Sequence, residues 1–145
     1  MEKTGGPPVA SFAVPGPPRP VRGIRERTFD YACRLVRLAR QLDRQKGTDR
    51  ILAAQLLRSG TSIGANLEEA RAGLTKPDFR AKCAIALKEA RETHYWLRLL
   101  AACEVVPPDS LQDLLNEGHE IVAILTAIVR KSGASKERAR PPDPT

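Results

Sequence analysis

The sequence has few aromatic side chains, almost no β-branched runs and no long apolar segment. Aromatic residues make up 4% of the 145 residues, which argues against a sheet protein. No stretch approaches the roughly 20 apolar residues that span a bilayer. The N-terminus lacks a basic segment followed by an apolar run, so we expect no signal peptide. We therefore expect a cytoplasmic protein without membrane contact.

The cysteines and histidines lack the spacing of a metal site or a disulfide framework. Cys33, Cys83 and Cys103 form no C-x-x-C pair, so we expect small buried thiols. A di-iron bundle carries Glu-x-x-His on two helices, but the residues three positions before His94 and His119 are Arg and Asn. No phosphate-binding glycine loop is present. We predict no catalytic residue, metal, cofactor or small-molecule substrate, and a protein that is not an enzyme.

The remaining residues are mostly helix formers with a helical period. The pattern predicts four helices, over Ile24–Lys46, Asp49–Ala72, Lys76–Cys103, and from Asp109 or Ser110 to about Lys131, where Ser132-Gly133 should end the last one. Short connections favour antiparallel neighbours, so the predicted fold is all-α, an up-down-up-down antiparallel four-helix bundle over residues 24–132. Residues 1–23 and 133–145 are rich in Pro or polar residues and are predicted to be disordered tails.

Positive charge is concentrated at the N-terminal end of the chain. Of the net charge of +7, residues 1–50 carry +6, from eleven Lys and Arg against five acids. The first helix has a predicted apolar stripe, formed by Tyr31, Leu35, Leu38, Ala39 and Leu42. The opposite arc holds four arginines, Arg34, Arg37, Arg40 and Arg44. This arc is either a solvated face or a surface that binds the phosphate backbone of RNA or DNA with little base stacking.

The second and third helices carry the features that predict assembly. Ser59 and Gly60 let a neighbouring helix come close, and Asn66 at the edge of the same face should fix helix register. The third helix has a predicted core face, formed by Phe79, Cys83, Ala86, Leu87, Ala90, Leu97 and Ala101. A second apolar side needs a partner in a chain of this size. It is predicted to form a subunit interface through Ile85, Tyr95, Trp96 and Leu99.

Two segments of these helices carry a family signature. QLLRSGTSIGANLEEA (Gln55–Ala70) and DFRAKCAIALKEARETHYWLRLL (Asp78–Leu100) closely resemble the 23S rRNA intervening-sequence proteins. The resemblance implies a cytoplasmic bacterial four-helix bundle that assembles into a ring, usually a homopentamer, and for which no activity is established. Five polar residues match motif positions, Arg58, Asn66, Glu69, Glu89 and Glu92. They form either a shared binding surface or a polar network between helices.

Two functional hypotheses follow from the sequence. The first is a non-enzymatic homo-oligomeric scaffold, pentameric by resemblance, that binds the RNA or DNA backbone through the basic first helix. The second is a protein-binding accessory subunit, for example of a reverse transcriptase, that makes no direct nucleic-acid contact. The second rests on an analogy of fold with accessory proteins of diversity-generating retroelements, and a shared fold does not establish a shared function.

Overall fold

A computed structural model describes residues 23–137. Most of the predicted tails, 1–23 and 133–145, lies outside the described residues. The described chain forms four helices, α1 (Ile24–Asp43), α2 (Thr48–Ala72), α3 (Lys76–Ala102) and α4 (Pro108–Glu137). Each helix packs against the next in the chain, and α4 returns to α1 over a smaller contact. The predicted all-α class and antiparallel four-helix bundle are confirmed.

The helix ends follow local chemistry. Thr75 accepts a hydrogen bond on its side-chain oxygen from the backbone N–H of Asp78, 3.2 Å away, and Pro77 lies in the first turn of α3. The side-chain cap satisfies a free backbone N–H at the start of the helix, and proline has no N–H there that would need a partner. Gly47 separates α1 from α2 with φ of 74°. A left-handed backbone of this kind is readily adopted by glycine.

The predicted end of the last helix is wrong. α4 continues through Ser132 and Gly133 to Glu137, so the boundary placed at residue 133 comes too early. The Ser132 hydroxyl donates a hydrogen bond to the backbone carbonyl of Ile128, 2.8 Å away on the same helix. Gly133 packs beside the guanidinium of Arg80. A single glycine costs a helix only about 1 kcal/mol relative to alanine, which is too little to end a packed helix.

The core lies between all four helices and is aliphatic. The whole predicted stripe of α1 is buried, as are Leu56, Ile63 and Leu67 of α2. On α3 the prediction is wrong for Phe79, which is exposed because it belongs to the run 71–81, at the end of the bundle, where every residue is exposed. The thiols agree with the expectation only in part.

Only one of the three cysteines is fully buried. Cys83 lies in the core, where burial raises the pKa of its thiol. Cys33 is half-buried on α1, and Cys103 is exposed just after α3. The expectation of buried thiols is therefore wrong for Cys103, which follows the last residue of α3, Ala102, and is exposed.

Candidate nucleic-acid and subunit interfaces

Three of the four predicted arginines form an exposed basic face on α1. Arg37, Arg40 and Arg44 are exposed, and they follow one another at intervals of three and four residues, so they lie on one side of the helix. Among residues 23–137, none of these three takes part in an ion pair. We call Arg37, Arg40 and Arg44 the α1 basic face.

Arg34 does not belong to this face, and its predicted exposure is wrong. Its side chain is 2% exposed and lies in the core with Tyr31 and Leu38. The physical reason is its spacing, since Tyr31, Arg34 and Leu38 follow at intervals of three and four residues and so share one side of α1. The helical spacing therefore contradicts the predicted place of Arg34 in the arc opposite the apolar stripe.

An apolar groove runs beside the α1 basic face, between α1 and α2. It encloses about 500 Å³ and is lined by Phe29, Cys33 and Val36 of α1 and by Gly64 of α2, with Arg37 and Arg40 at one end. Phe29 is 72% exposed, the largest exposure of any aromatic residue in the described chain. This groove is not among the predicted sites, although Phe29, Cys33 and Val36 recur at helical spacing.

The far end of the groove is neutral rather than basic. Arg25 of α1 is bound by Glu68 of α2, with Nη2 2.8 Å from Oε1 and 3.0 Å from Oε2. This exposed pair cancels the charge of Arg25. The unpaired positive charge of this side of the molecule therefore lies at the Arg37–Arg44 end of α1.

The structure brings three of the five motif residues together across α2 and α3. Arg58 of α2 forms an ion pair with Glu89, with Nη1 3.4 Å from Oε2, and a second ion pair with Glu92. Trp96 donates from Nε1 to Oε1 of Glu92 over 3.3 Å. The hydrogen bond from Arg58 is the main cause that holds the pKa of the Glu92 carboxyl below its ordinary value. This cluster is an inter-helix contact with its charges paired.

Asn66 and Glu69 do not join the Arg58 cluster. Asn66 donates from Nδ2 to the carbonyl of Ser62, 2.8 Å away on its own helix. Glu69 pairs instead with Lys82 of α3, with Oε2 2.5 Å from Nζ. These two residues thus do not extend the Arg58 cluster into one continuous network.

A buried hydroxyl pair makes the polar contact that the sequence analysis expected from Asn66. Thr93 of α3 lies with Oγ1 2.9 Å from Oγ of Ser59 on α2, and both side chains are fully buried. Ser59 also donates to the carbonyl of Gln55, 3.0 Å away. Such a satisfied polar pair in an apolar interface favours one helix register. Thr93 was missed because its hydroxyl lies among apolar residues at core spacing.

The four residues predicted for a subunit interface divide into two pairs. Ile85 is 41% exposed and Tyr95 is 51% exposed, so both present apolar surface to solvent. Trp96 and Leu99 are half-buried, and Trp96 packs against the core of its own chain. The Tyr95 and Trp96 rings meet edge to face with centroids 5.1 Å apart, a favourable aromatic arrangement. We call Ile85, Tyr95, Trp96 and Leu99 the α3 outer face.

No arrangement for metal binding or membrane insertion is found in the described part of the chain. Residues 23–137 contain no group of three or more His, Cys, Asp or Glu side chains placed to hold a metal ion. The His94 and His119 rings approach each other to 6.3 Å between centroids. Burial lowers the pKa of His94. None of the four helices is both long and apolar enough to cross a bilayer.

The comparisons with known proteins agree with the fold and with the signature of α2 and α3. A family model described as the 23S rRNA-intervening sequence protein matches residues 23–127. The chain is similar to a solved protein of unknown function from the S23 ribosomal protein family of Bacteroides thetaiotaomicron VPI-5482. That match has 37% identity and a TM-score of 0.69, and covers 74% of this chain and 98% of the other. No curated protein matches. The chain belongs to the 23S rRNA-intervening sequence protein family.

Proposed function

We propose that this protein is a cytoplasmic, non-enzymatic homo-oligomeric scaffold that binds the phosphate backbone of RNA or DNA through the α1 basic face. The observation that carries the proposal is the set of three exposed arginines that take part in no ion pair among residues 23–137. The exposed guanidinium groups of Arg25 and Arg58 are matched with carboxylates. Other exposed arginines, such as Arg71 and Arg130, also take part in no ion pair among residues 23–137, but they do not follow one another on one side of a helix as the α1 arginines do. An unmatched row of cations favours an anionic partner.

The geometry of the row supports contact with phosphates rather than with bases. Arginine donates in a fixed fork that matches phosphate oxygens. The residues that line the neighbouring groove are mostly apolar and offer few groups that could read base edges. Binding of this kind is weakly sequence-specific and falls steeply with salt, because bound arginines release counterions from the nucleic acid.

Self-assembly would multiply these contacts. The exposed apolar surface of Ile85 and Tyr95 on the α3 outer face supports a subunit contact, and the family resemblance favours a homopentamer. A ring would present the α1 basic face once per subunit. Several weak phosphate contacts on one particle bind a long nucleic acid far more tightly than one contact alone.

The test compares Arg37→Gln, Arg40→Gln and Arg44→Gln, combined in one variant, with the unaltered protein. Binding to a single-stranded RNA and to a DNA duplex is measured by fluorescence anisotropy over a series of salt concentrations. Loss of three phosphate contacts per subunit should lower the slope of log K against log salt by about 2 to 3 for each bound subunit.

The matched control removes the same charge elsewhere. Arg71→Gln, Arg130→Gln and Lys131→Gln replace three exposed cations of α2 and α4, and this variant should keep most of the salt slope. An equal decrease of the salt slope in both variants would mean that net charge alone drives binding. Weak, unchanged binding in all three proteins would refute the nucleic-acid role.

Assembly is tested separately by light scattering with size-exclusion chromatography. The proposal requires a homo-oligomer at micromolar concentration, with five subunits expected. A stable monomer over that range would refute the scaffold.

A further inference from the structure

The interior of the bundle holds a positive charge that none of the interfaces above uses. Arg34 is 2% exposed and Tyr31 is 1% exposed. Nε, Nη1 and Nη2 of Arg34 and the hydroxyl of Tyr31 are buried without a hydrogen-bond partner among the described residues. Arginine stays protonated in proteins, so its charge cannot be removed by losing a proton.

The two side chains are neighbours on one face of α1. They are three residues apart, which places them side by side on a helix. Burial raises the pKa of the Tyr31 phenol, and the nearby charge of Arg34 opposes this rise in part. The phenol is therefore protonated at neutral pH and can donate a hydrogen bond. Together the guanidinium and the phenol offer several unused N–H and O–H donors.

The carboxylate that acts on this region already has a partner. The negative charge of Glu117 helps to raise the pKa of the Tyr31 phenol. Both carboxylate oxygens of Glu117 are already bound by Arg27, because Oε1 accepts from Nε at 2.9 Å and Oε2 accepts from Nη2 at 2.8 Å. The His94 ring, which also lies beside the α4 backbone at Gly118, cannot supply negative charge. Among residues 23–137, no ion pair includes Arg34.

A buried unpaired ion is costly in free energy. Its removal from water is not repaid by an opposite charge, and unsatisfied donors add to the cost. Water molecules could accept the hydrogen bonds but could not balance the charge. A bound anion would do both, because it supplies acceptor lone pairs and one negative charge.

We propose that Arg34 and Tyr31 form an internal site for a small monovalent anion such as chloride. The anion must be monovalent because one cation faces it, and small because both side chains are enclosed by packed helices. The α1–α4 contact, at which Tyr31 packs against Gly118, is the least extensive contact between neighbouring helices. The site is separate from the α1 basic face and does not depend on the proposed function.

Thermal unfolding in sodium chloride and in sodium gluconate of equal ionic strength tests the site in the full chain. Chloride should raise the Tm of the unaltered protein by about 5 °C, the effect of a ligand present at roughly tenfold its Kd. Arg34→Met, which keeps a long apolar stem, should lose this chloride effect. Arg37→Met changes an exposed arginine of the same helix and should keep it.

A second variant and a direct measurement complete the test. Tyr31→Phe removes one donor and should reduce the chloride effect, even if Arg34→Met does not fold. Crystals grown in bromide should show an anomalous peak within hydrogen-bond distance of the Arg34 guanidinium. Equal Tm in chloride and gluconate, or a chloride effect that survives in Arg34→Met, would overturn the proposal, as would a bromide crystal without that peak.

Discussion

Gly118 on α4 has no side chain, which lets Tyr31 and His94 pack against the α4 backbone. A Cβ added there would lie 2.6 Å from the Tyr31 hydroxyl and 3.2 Å from Cδ2 of His94. Both rings are rigid, and Tyr31 is fully buried, so neither can move away at low cost. The glycine is therefore required by a close approach and not by backbone conformation.

Gly118→Ala should destabilise the protein by about 1 to 3 kcal/mol, because overpacking outweighs the gain in helix propensity. Gly64→Ala is the matched control, since an added Cβ there would meet only Thr28 at 3.6 Å or more. It should stabilise the protein by up to about 1 kcal/mol. Urea unfolding measures both. A stabilised Gly118→Ala would contradict the packing of Tyr31 against α4.

His94 is the second residue whose environment makes a prediction. Its ring is half-buried beside Tyr31 and Gly118. Burial is the main cause that lowers its pKa, and the charges of Arg98 and His119 lower it further. A backbone hydrogen bond at Leu115 acts in the opposite direction. The folded protein therefore favours the neutral imidazole.

Stability should fall on acidification because of His94. Above the ordinary histidine pKa of about 6.5 both states are neutral and this group has no effect. As pH falls through that value the unfolded chain binds the proton first, and folding is disfavoured down to the lowered folded-state pKa. Urea unfolding between pH 7.5 and 5.5 should show a smaller loss of stability in His94→Gln than in the unaltered protein. An equal loss of stability on acidification in His94→Gln and in the unaltered protein would contradict the role given to His94.

Between elements, the α1–α4 contact depends on one partly buried ion pair. Arg27 of α1 binds both oxygens of Glu117, whose side chain is 11% exposed, and also pairs with Glu120. These hydrogen bonds raise the pKa of the Arg27 guanidinium further above its ordinary value. The contact between α1 and α4 is small, so we expect the loss of this pair to weaken it.

Glu117→Gln should lower the free energy of unfolding by about 2 kcal/mol. The partly buried guanidinium of Arg27 would then keep only one charged partner, the exposed Glu120. Glu68→Gln removes the partner of Arg25, where both side chains are well exposed, and should change stability by less than about 1 kcal/mol. Denaturant midpoints of the two variants give the comparison. A Glu117→Gln midpoint equal to that of Glu68→Gln would show that the α1–α4 contact does not rely on this pair.

Helical period and capping chemistry were enough to predict the elements and most of the core. The Thr75 cap, the Gly47 break and the apolar stripe of α1 all follow from local rules. The errors at Arg34 and Gly133 have different causes. The spacing within α1 already places Arg34 on the side of Tyr31 and Leu38, whereas Gly133 stays helical where α4 packs against Arg80 of α3, a contact that is not visible within one segment.

The candidate sites were harder to predict because they depend on distances between helices. Arg58 meets Glu89 and Glu92 only because α2 and α3 cross at that level. The groove at Phe29 exists only when α1 and α2 are placed together. Motif positions indicated which residues matter on α2 and α3, but they did not separate Asn66 and Glu69 from the Arg58 cluster.

At the scale of the whole molecule, the α1 basic face and the α3 outer face lie on different helices. In the proposed scaffold, one face joins subunits and the other meets the nucleic acid. Affinity for a long strand should then depend on assembly, whereas affinity for a strand short enough to contact one subunit should not.

Ile85→Asp combined with Tyr95→Asp tests this dependence, because both side chains are exposed and the fold should be retained. Light scattering should show smaller particles, and affinity for a long single-stranded RNA should fall by about 100-fold or more. Affinity for the short strand should fall only slightly, through the added negative charge. Ile51→Asp places one such charge at an exposed site on α2 and should leave assembly intact. If the dissociated subunits bound the long RNA at full affinity, binding would not depend on assembly. That result would contradict the multivalent scaffold.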